Sequence, residues 1–269
     1  MNKKHIFKKS LGQNFLIDNN VINKIVDSSE VDLDTLVLEI GPGEGAISKL
    51  LVPRSGQTIL YEIDSSLEEK LNILLKDYSN KKILIKDFLK TDITQDISDY
   101  NFKKLYVVAN LPYYITTPII MKFIDENTLP DKFVVMVQKE VAHRLSAEVG
   151  SKDYGSLTVL LNYYYDISIL FDVSRNCFVP KPNVDSSVIC MKKKENRLNI
   201  KDIELFKKLV RDSFLHKRKT IKNNLGNYDL GIIERVLNKY GFDLSIRAEN
   251  LSLNIYIDIV NELCESGKI

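Results

Sequence analysis

The chain has 269 residues, 44% of them hydrophobic, and a formal net charge of +2, enough apolar material for one sizeable core and a smaller second one. No apolar run approaches the roughly 20 residues a membrane-spanning helix needs. The three cysteines (Cys177, Cys190, Cys264) and three histidines (His5, His143, His216) are scattered, so neither a disulfide framework nor a metal site is expected. The basic N-terminus "MNKKHIFKKS" lacks the apolar stretch and small-residue cleavage site of a secretory signal. Its charge alone would also suit a mitochondrial presequence, but "KKSLGQNFL" follows at once and leaves little room for removable sequence. A cytoplasmic protein is the expectation.

Strand-like and helix-like segments alternate from Leu36 onward. "LVLEI" (36–40) runs into a Gly-rich turn and a short amphipathic helix around Ala46–Leu51. "TILYEI" (58–63) precedes a helix from about Ser66 to Lys76, with Ser65 as its cap and Glu68 and Glu69 in the first turn. "KILIKD" (82–87), "LYVVAN" (105–110) and "FVVMVQ" (133–138) read as further strands. Between the last two lies a helix near Thr117–Glu126, with Pro118 where a first turn tolerates proline. Near-continuous Val/Ile/Leu strands separated by helices predict a parallel sheet covered on both faces. "DISILFDV" (166–173) and "SSVICMKK" (186–193) follow as late strands, joined by the Pro-rich "CFVPKPNVD". After Glu195 the periodicity becomes helical in "IELFKKLVRDSFL", "LGIIERVLNKYGF" and "IYIDIVNELCE". The expected division is therefore residues 1–195 as an α/β domain and 196–269 as a small all-helical one.

Charge is uneven along this chain. Residues 192–225 carry twelve Lys/Arg against four Asp/Glu and residues 1–10 carry +4, whereas residues 11–191 carry −7. Basic segments at both ends of an acidic body suit contact with a polyanion at those segments.

Three successive strand ends carry ligand-type residues. Gly41, Gly43 and Gly45 occupy the first strand-to-helix turn as G-P-G-E-G, which lets the backbone approach a ligand but lacks the G-x-G-x-x-G spacing of a pyrophosphate site. Glu62, about twenty residues on, can accept hydrogen bonds from both hydroxyls of a ribose. Asp87 can accept from an adenine amino group beside the wall of Phe88. Together they predict an adenosine-bearing ligand without pyrophosphate, which S-adenosylmethionine fits best.

The fourth strand ends in Asn110-Leu111-Pro112-Tyr113. An exocyclic adenine amine is a poor nucleophile because its lone pair is delocalised into the ring. The Asn110 side-chain oxygen and the Leu111 carbonyl can hold its N–H groups, and Pro112 fixes the backbone that aims the second acceptor. Tyr113 offers a stacking face to a flipped base, with Tyr114 beside it. The amine becomes acidic once methylated, so positioning and electrostatics suffice without a tuned general base.

These residues resemble the small-subunit (16S) ribosomal RNA adenine N6-dimethyltransferases (KsgA type) along nearly the whole chain. "KKSLGQNFL", "EIGPGEG", "YEID", "KDFLK", "NLPYYITTPI", "FVPKPNVDSSV", "FLHKRKTIKNNL" and "RAENLS" stand in the family's order. The resemblance implies a Rossmann-like S-adenosylmethionine-dependent methyltransferase sheet with a small helical C-terminal domain that contributes to RNA binding. It implies that Asn14 and Leu16 help enclose the cofactor, that Gly41, Glu62, Asp87 and Asn110 contact it, and that Phe178 is a second aromatic against the target base. Lys217, Arg218, Lys219 and Lys222 become candidates for the RNA backbone, although His216 stands where the family more often has Gln. The implied reaction is dimethylation of two adjacent adenosines in a hairpin loop near the 3′ end of small-subunit RNA, on an assembling 30S subunit. With no exposed heptad in view, a monomer is expected.

Rival readings stay open on sequence alone. The related large-subunit methyltransferases that confer macrolide-type resistance share the glycine loop, acidic strand ends and F-x-P-x-P block, but Asn-Ile-Pro-Tyr would be expected in them. A non-catalytic nucleic-acid-binding factor of the same fold is a second rival, opposed by intact Glu62, Asp87 and Asn110. A DNA adenine methyltransferase is a third, and no recognisable target-recognition domain supports it.

Overall fold

A computed structural model describes residues 13–267. Nine strands are present among them: β1 (Phe15–Leu16), β2 (Thr35–Ile40), β3 (Gln57–Glu62), β4 (Lys81–Ile85), β5 (Lys104–Asn110), β6 (Lys132–Gln138), β7 (Tyr165–Val173), β8 (Phe178–Val179) and β9 (Ser186–Lys193). Seven of them form one sheet in the order β4-β3-β2-β5-β6-β9-β7, and β1 pairs with β8 in a separate two-stranded sheet. β4, β3, β2, β5 and β6 run parallel to their neighbours, as the uninterrupted apolar runs predict. β9 runs antiparallel to β6, so the sheet is mixed and not wholly parallel.

Burial follows position in this sheet. Every residue of central β2 is buried, whereas edge strand β4 is half-buried throughout and β7 alternates between covered and exposed positions. The β7 alternation is that of a strand with one face in water. Helices supply the covering layers. Asn19–Ser29 begins at Asp18, whose Oδ1 accepts from the backbone N–H of Asn20 and Val21, and it buries Ile22, Ile25, Val26 and Ser29 along one stripe. Thr116–Asp125 buries Ile119, Ile120, Phe123 and Ile124 in the same manner.

Two local expectations are corrected. The helix after β3 is entered through a 3-10 turn over Ser65–Leu67 and capped by Asp64, not Ser65: Asp64 Oδ1 accepts from Ser66 N–H at 3.1 Å. A carboxylate there also receives Gln13 Nε2 at 2.8 Å, a second task a serine hydroxyl would not serve as well. The helix after the glycine turn is shorter than its pattern suggests, Ser48–Leu51, because turns occupy its flanks.

The chain divides into two compact units, one reaching to Ala142 and including Ser168–Lys193, the other comprising His143–Ile167 with Lys194 onward. The change of character near residue 195 thus falls close to one crossing of the chain. The second unit also takes in His143–Ile167, which reads as part of the first domain in sequence. The ties are direct: Gly150 N–H donates to the Glu249 carbonyl at 2.8 Å and Tyr154 hydroxyl to the Leu251 carbonyl at 3.2 Å. Three capped or amphipathic helices complete this unit: Ile203–Ser213, Leu230–Lys239 and Leu253–Ser266. No helix among the described residues is long and apolar enough to cross a membrane.

Candidate active site

The C-terminal ends of β2, β3, β4 and β5 open into one cavity of about 460 Å³, the expected place for a ligand on a parallel sheet. Asn14, Leu16, Gly41, Gly43, Glu62, Asp87, Phe88 and the whole Asn110–Tyr114 stretch line it. Phe178 does not. It is 2% exposed, packs into the core and pairs with Leu16 across the β1–β8 ladder. Lys217, Arg218, Lys219 and Lys222 belong to the second unit, where all four are exposed.

The glycine turn is shaped by close approach. Gly43 has φ +59°, and a Cβ added there would stand 2.7 Å from the Phe15 ring, which excludes any larger residue on two grounds. Its N–H donates to Glu62 Oε2 at 3.0 Å, while Asp64 N–H donates to Glu62 Oε1 at 2.9 Å. Glu62 is 4% exposed. Burial pushes its carboxyl up, and the Asp64 and Gly43 donors pull it back toward the ionised form. Each oxygen keeps a lone pair for a further donor, so a diol can be gripped by a carboxylate whose orientation is already fixed.

Asp87 serves locally and outward. Its Oδ1 accepts from Leu89 N–H at 3.1 Å, capping the single turn Phe88–Lys90. Phe88 lines the cavity with a ring held against Tyr61 and Phe123, at centroid distances of 5.0 and 5.5 Å. The acceptor and its aromatic neighbour are therefore rigid before any ligand arrives.

The Asn110 amide is oriented by the N-terminal segment. Its Nδ2 donates to the Asn14 carbonyl at 3.2 Å. A carbonyl can only accept, so the nitrogen must face Asn14 and the amide oxygen is left as an acceptor. Leu111 N–H is tied to the Met136 carbonyl at 3.1 Å, and the Pro112 carbonyl is taken by Ile115 N–H and the Thr116 hydroxyl. Of the acceptors on this loop, the Asn110 oxygen and the Leu111 carbonyl thus stay available among the described residues. Tyr113 is half-buried and its hydroxyl is 2.6 Å from Ser186 Oγ, whereas Tyr114 is 58% exposed.

Sequence reasoning misses Glu39. It is 1% exposed and lines the cavity, and its Oε2 has no hydrogen-bond partner among the described residues. Burial, with the Glu62 charge adding to it, pushes its carboxyl up to about 8. Near neutral pH this carboxyl is therefore mostly protonated in the ligand-free protein, and a cation bound beside it, such as the sulfonium or ammonium of S-adenosylmethionine, would favour its ionised form. The residues present thus fit the cofactor at the diol grip and the adenine wall. The signal in sequence was the acidic residue two places before the first glycine of the turn.

The same carboxyl yields a stability prediction. The unfolded chain loses this proton near the ordinary 4.5 and the folded, ligand-free protein near 8. Between those values the unfolded state binds fewer protons, so stability falls as pH rises. Glu39→Gln is expected to remove this slope. Relative to wild type it should gain on the order of a few kcal/mol between pH 5 and pH 8, read by thermal melts at both pH values.

Fold and cavity together place the chain among Rossmann-like methyltransferases that work through an adenosyl cofactor. Residues 4–265 match the family model described as Ribosomal RNA adenine dimethylase, and the chain belongs to that family. The curated Ribosomal RNA small subunit methyltransferase A of Bacillus mycoides (strain KBAB4) is 42% identical over 266 residues, covering 96% of this chain and 91% of that one. Its namesake in Bacillus anthracis (strain A0248) matches equally. Among solved structures, a dimethyladenosine transferase from Plasmodium falciparum superposes with a TM-score of 0.80 at 26% identity, covering 94% of this chain and 98% of that one. The 23S rRNA methyltransferase ErmE gives 0.75 at 25%, covering 93% and 100%.

Proposed function

We propose that the chain transfers methyl groups from S-adenosylmethionine to the N6 of adenines in small-subunit ribosomal RNA, producing dimethyladenosine. The observation that carries this reading is the Asn110 amide, turned by the Asn14 carbonyl so that its oxygen accepts, beside the available Leu111 carbonyl on the rim of an adenosine-sized cavity. When bound, the cofactor supplies an electrophilic methyl group. The two acceptors hold the N–H groups of the target amine and favour a tetrahedral nitrogen whose lone pair is directed and not delocalised. Tyr113 and Tyr114 provide faces for the unstacked base. Glu62 and Asp87 hold the ribose and adenine ends of the cofactor, while Asn14, Leu16, Gly41 and Gly43 close around it. Phe178, buried behind β1, supports Leu16 in the ligand-free protein; contact with the target base would require it to emerge.

The finer reading is that the substrate is the assembling 30S subunit, that two adjacent adenosines of a 3′-terminal hairpin loop are modified, and that the enzyme acts as a cytoplasmic monomer. The first unit binds cofactor and target base, and the helical unit contributes phosphate contacts. Support for the latter comes from the loop that carries the basic residues. Asn224 accepts from His216 N–H and donates to the carbonyls of Ser213 and His216, and Lys217 Nζ donates to the Lys152 carbonyl at 2.6 Å, so the loop is pinned by two side chains with Lys217, Arg218 and Lys219 all exposed on it. Only the backbone of His216 is used, which explains why an atypical side chain is tolerated there. The basic N-terminal segment, residues 1–10, lies outside the described residues.

Replacing Lys217, Arg218, Lys219 and Lys222 together by Ala is expected to weaken subunit binding and reduce the slope of log K against log salt by about 3, at roughly 0.7–0.9 per lost phosphate contact. Cofactor affinity, measured by calorimetry on the same variant, should not change. The proposed function is tested in cells from which the gene has been deleted. Nucleoside analysis of small-subunit RNA should show no N6,N6-dimethyladenosine, and its return with the wild-type chain but not with an inactive one is the expected result. Unaltered dimethyladenosine after deletion would refute the assignment.

A further inference from the structure

The hydrogen bond between Tyr113 and Ser186 joins the reacting loop to a distant strand, and the proposed reaction leaves it without a task. Ser186 opens β9 and stands opposite Gln138 in the antiparallel ladder with β6. It is wholly buried, and its Oγ lies 2.6 Å from the Tyr113 hydroxyl. Tyr113 is thus held at both ends. Its backbone begins the single turn Tyr113–Ile115, closed by the Ile115 N–H to the Pro112 carbonyl, and its far tip is fixed to the sheet. Burial pushes the phenol up from its ordinary value, so it stays a neutral donor or acceptor. Tyr114 is different: it has the same ring but is largely exposed.

A phenol held at its tip cannot swing freely about its Cα–Cβ bond, the motion that would carry the whole ring sideways. If the ring is the wall against which the target adenine stacks, its position sets the width of the slot between that wall and the acceptors of Asn110 and Leu111. The first methyl transfer needs room for an NH2 group, and the second needs the same nitrogen to re-enter carrying a methyl, with its one remaining N–H aimed at an acceptor. A wall that wanders by a fraction of an ångström admits the small amine in many poses but holds the bulkier one in fewer productive ones.

We infer that Ser186 is a positioning residue that fixes the Tyr113 ring and thereby determines how far methylation proceeds, from one methyl to two. This rests on the reading of Tyr113 as the base-stacking wall. It predicts that losing either oxygen of the pair has the same consequence. Ser186→Ala and Tyr113→Phe should each raise the ratio of N6-methyladenosine to N6,N6-dimethyladenosine several-fold in a time course on small subunits lacking the modification. The double variant should go no further than either single one, because one interaction is lost in all three. Ser186→Thr, which keeps a hydroxyl, should return the ratio toward wild type, and calorimetric affinity for S-adenosylmethionine should stay within about twofold in Tyr113→Phe.

Distinct results overturn distinct parts. Unchanged ratios in both Ser186→Ala and Tyr113→Phe, or additive effects in the double variant, would overturn the positioning role. Tyr113→Phe also guards against a folding defect at buried Ser186, since it removes one oxygen from a half-buried ring. Tyr113→Ala with wild-type rate and ratio would sink the stacking wall itself, and the inference with it. Loss of turnover in Tyr113→Ala with normal ratios in Tyr113→Phe would leave the wall standing and reject only the role of Ser186.

Discussion

Asn110→Ala is expected to lower the rate of methyl transfer by about 10²–10³-fold, the range seen when one pre-positioned polar group facing developing charge is deleted. The loss should appear chiefly in kcat, because the side-chain oxygen acts most strongly as the amine turns tetrahedral and its N–H bonds become more polar. Asn110→Asp makes a sharper case. The tether to Asn14 is an N–H donating to a carbonyl at 3.2 Å, and an aspartate would set a carboxylate oxygen against that carbonyl. Repulsion would turn the group away, so the near-isosteric acid is expected to rescue nothing. Single-turnover kinetics on both variants check this. Wild-type-like turnover in Asn110→Asp would mean that the tether does not orient the group.

Glu62→Gln is expected to act on binding. In the wild type both carboxylate oxygens already accept a backbone N–H, from Gly43 and Asp64. The amide has one oxygen and one nitrogen, so one of those N–H groups would meet a donor, and the grip on a diol would lose an acceptor. Hydrogen bonds to a charged group contribute ~1.5–3 kcal/mol each, and each 1.4 kcal/mol is tenfold in affinity. The dissociation constant for S-adenosylmethionine should therefore rise by about 10- to 10²-fold, measured by calorimetry, with the glycine turn loosened as well. The contrast between the two variants is informative: one reads positioning of the nucleophile, the other capture of the cofactor.

What could be read in the sequence was whatever is local. Most strands from Leu36 onward fall within about a residue of their expected limits, because buried strands announce themselves as unbroken Val/Ile/Leu runs; β4 ends two residues early, and the two-residue β8 lies in the stretch read as a Pro-rich joint. The glycine turn and the carboxylates at strand ends are legible for the same reason, since each is fixed by its own strand. The sequence is silent where a contact spans distant segments. Nothing in "GQNF" shows that the Asn14 carbonyl would orient Asn110, 96 residues away, or that Ser186 would hold the tip of Tyr113 across 73 residues. The antiparallel course of β9 is likewise a tertiary matter, because an apolar run does not encode its direction. Phe178 illustrates the converse. The resemblance implies an aromatic against the target base, whereas in this structure the β1–β8 pairing turns the ring into the core beside Leu16.

The most direct test is methyl transfer from labelled S-adenosylmethionine to small and large ribosomal subunits presented in parallel, both taken from cells lacking these modifications, with nucleoside analysis of each RNA. Label recovered as N6,N6-dimethyladenosine in the small-subunit RNA, and lost with Asn110→Ala, is the predicted result. Label confined to the large subunit, or none at all despite bound cofactor and RNA, would contradict the account.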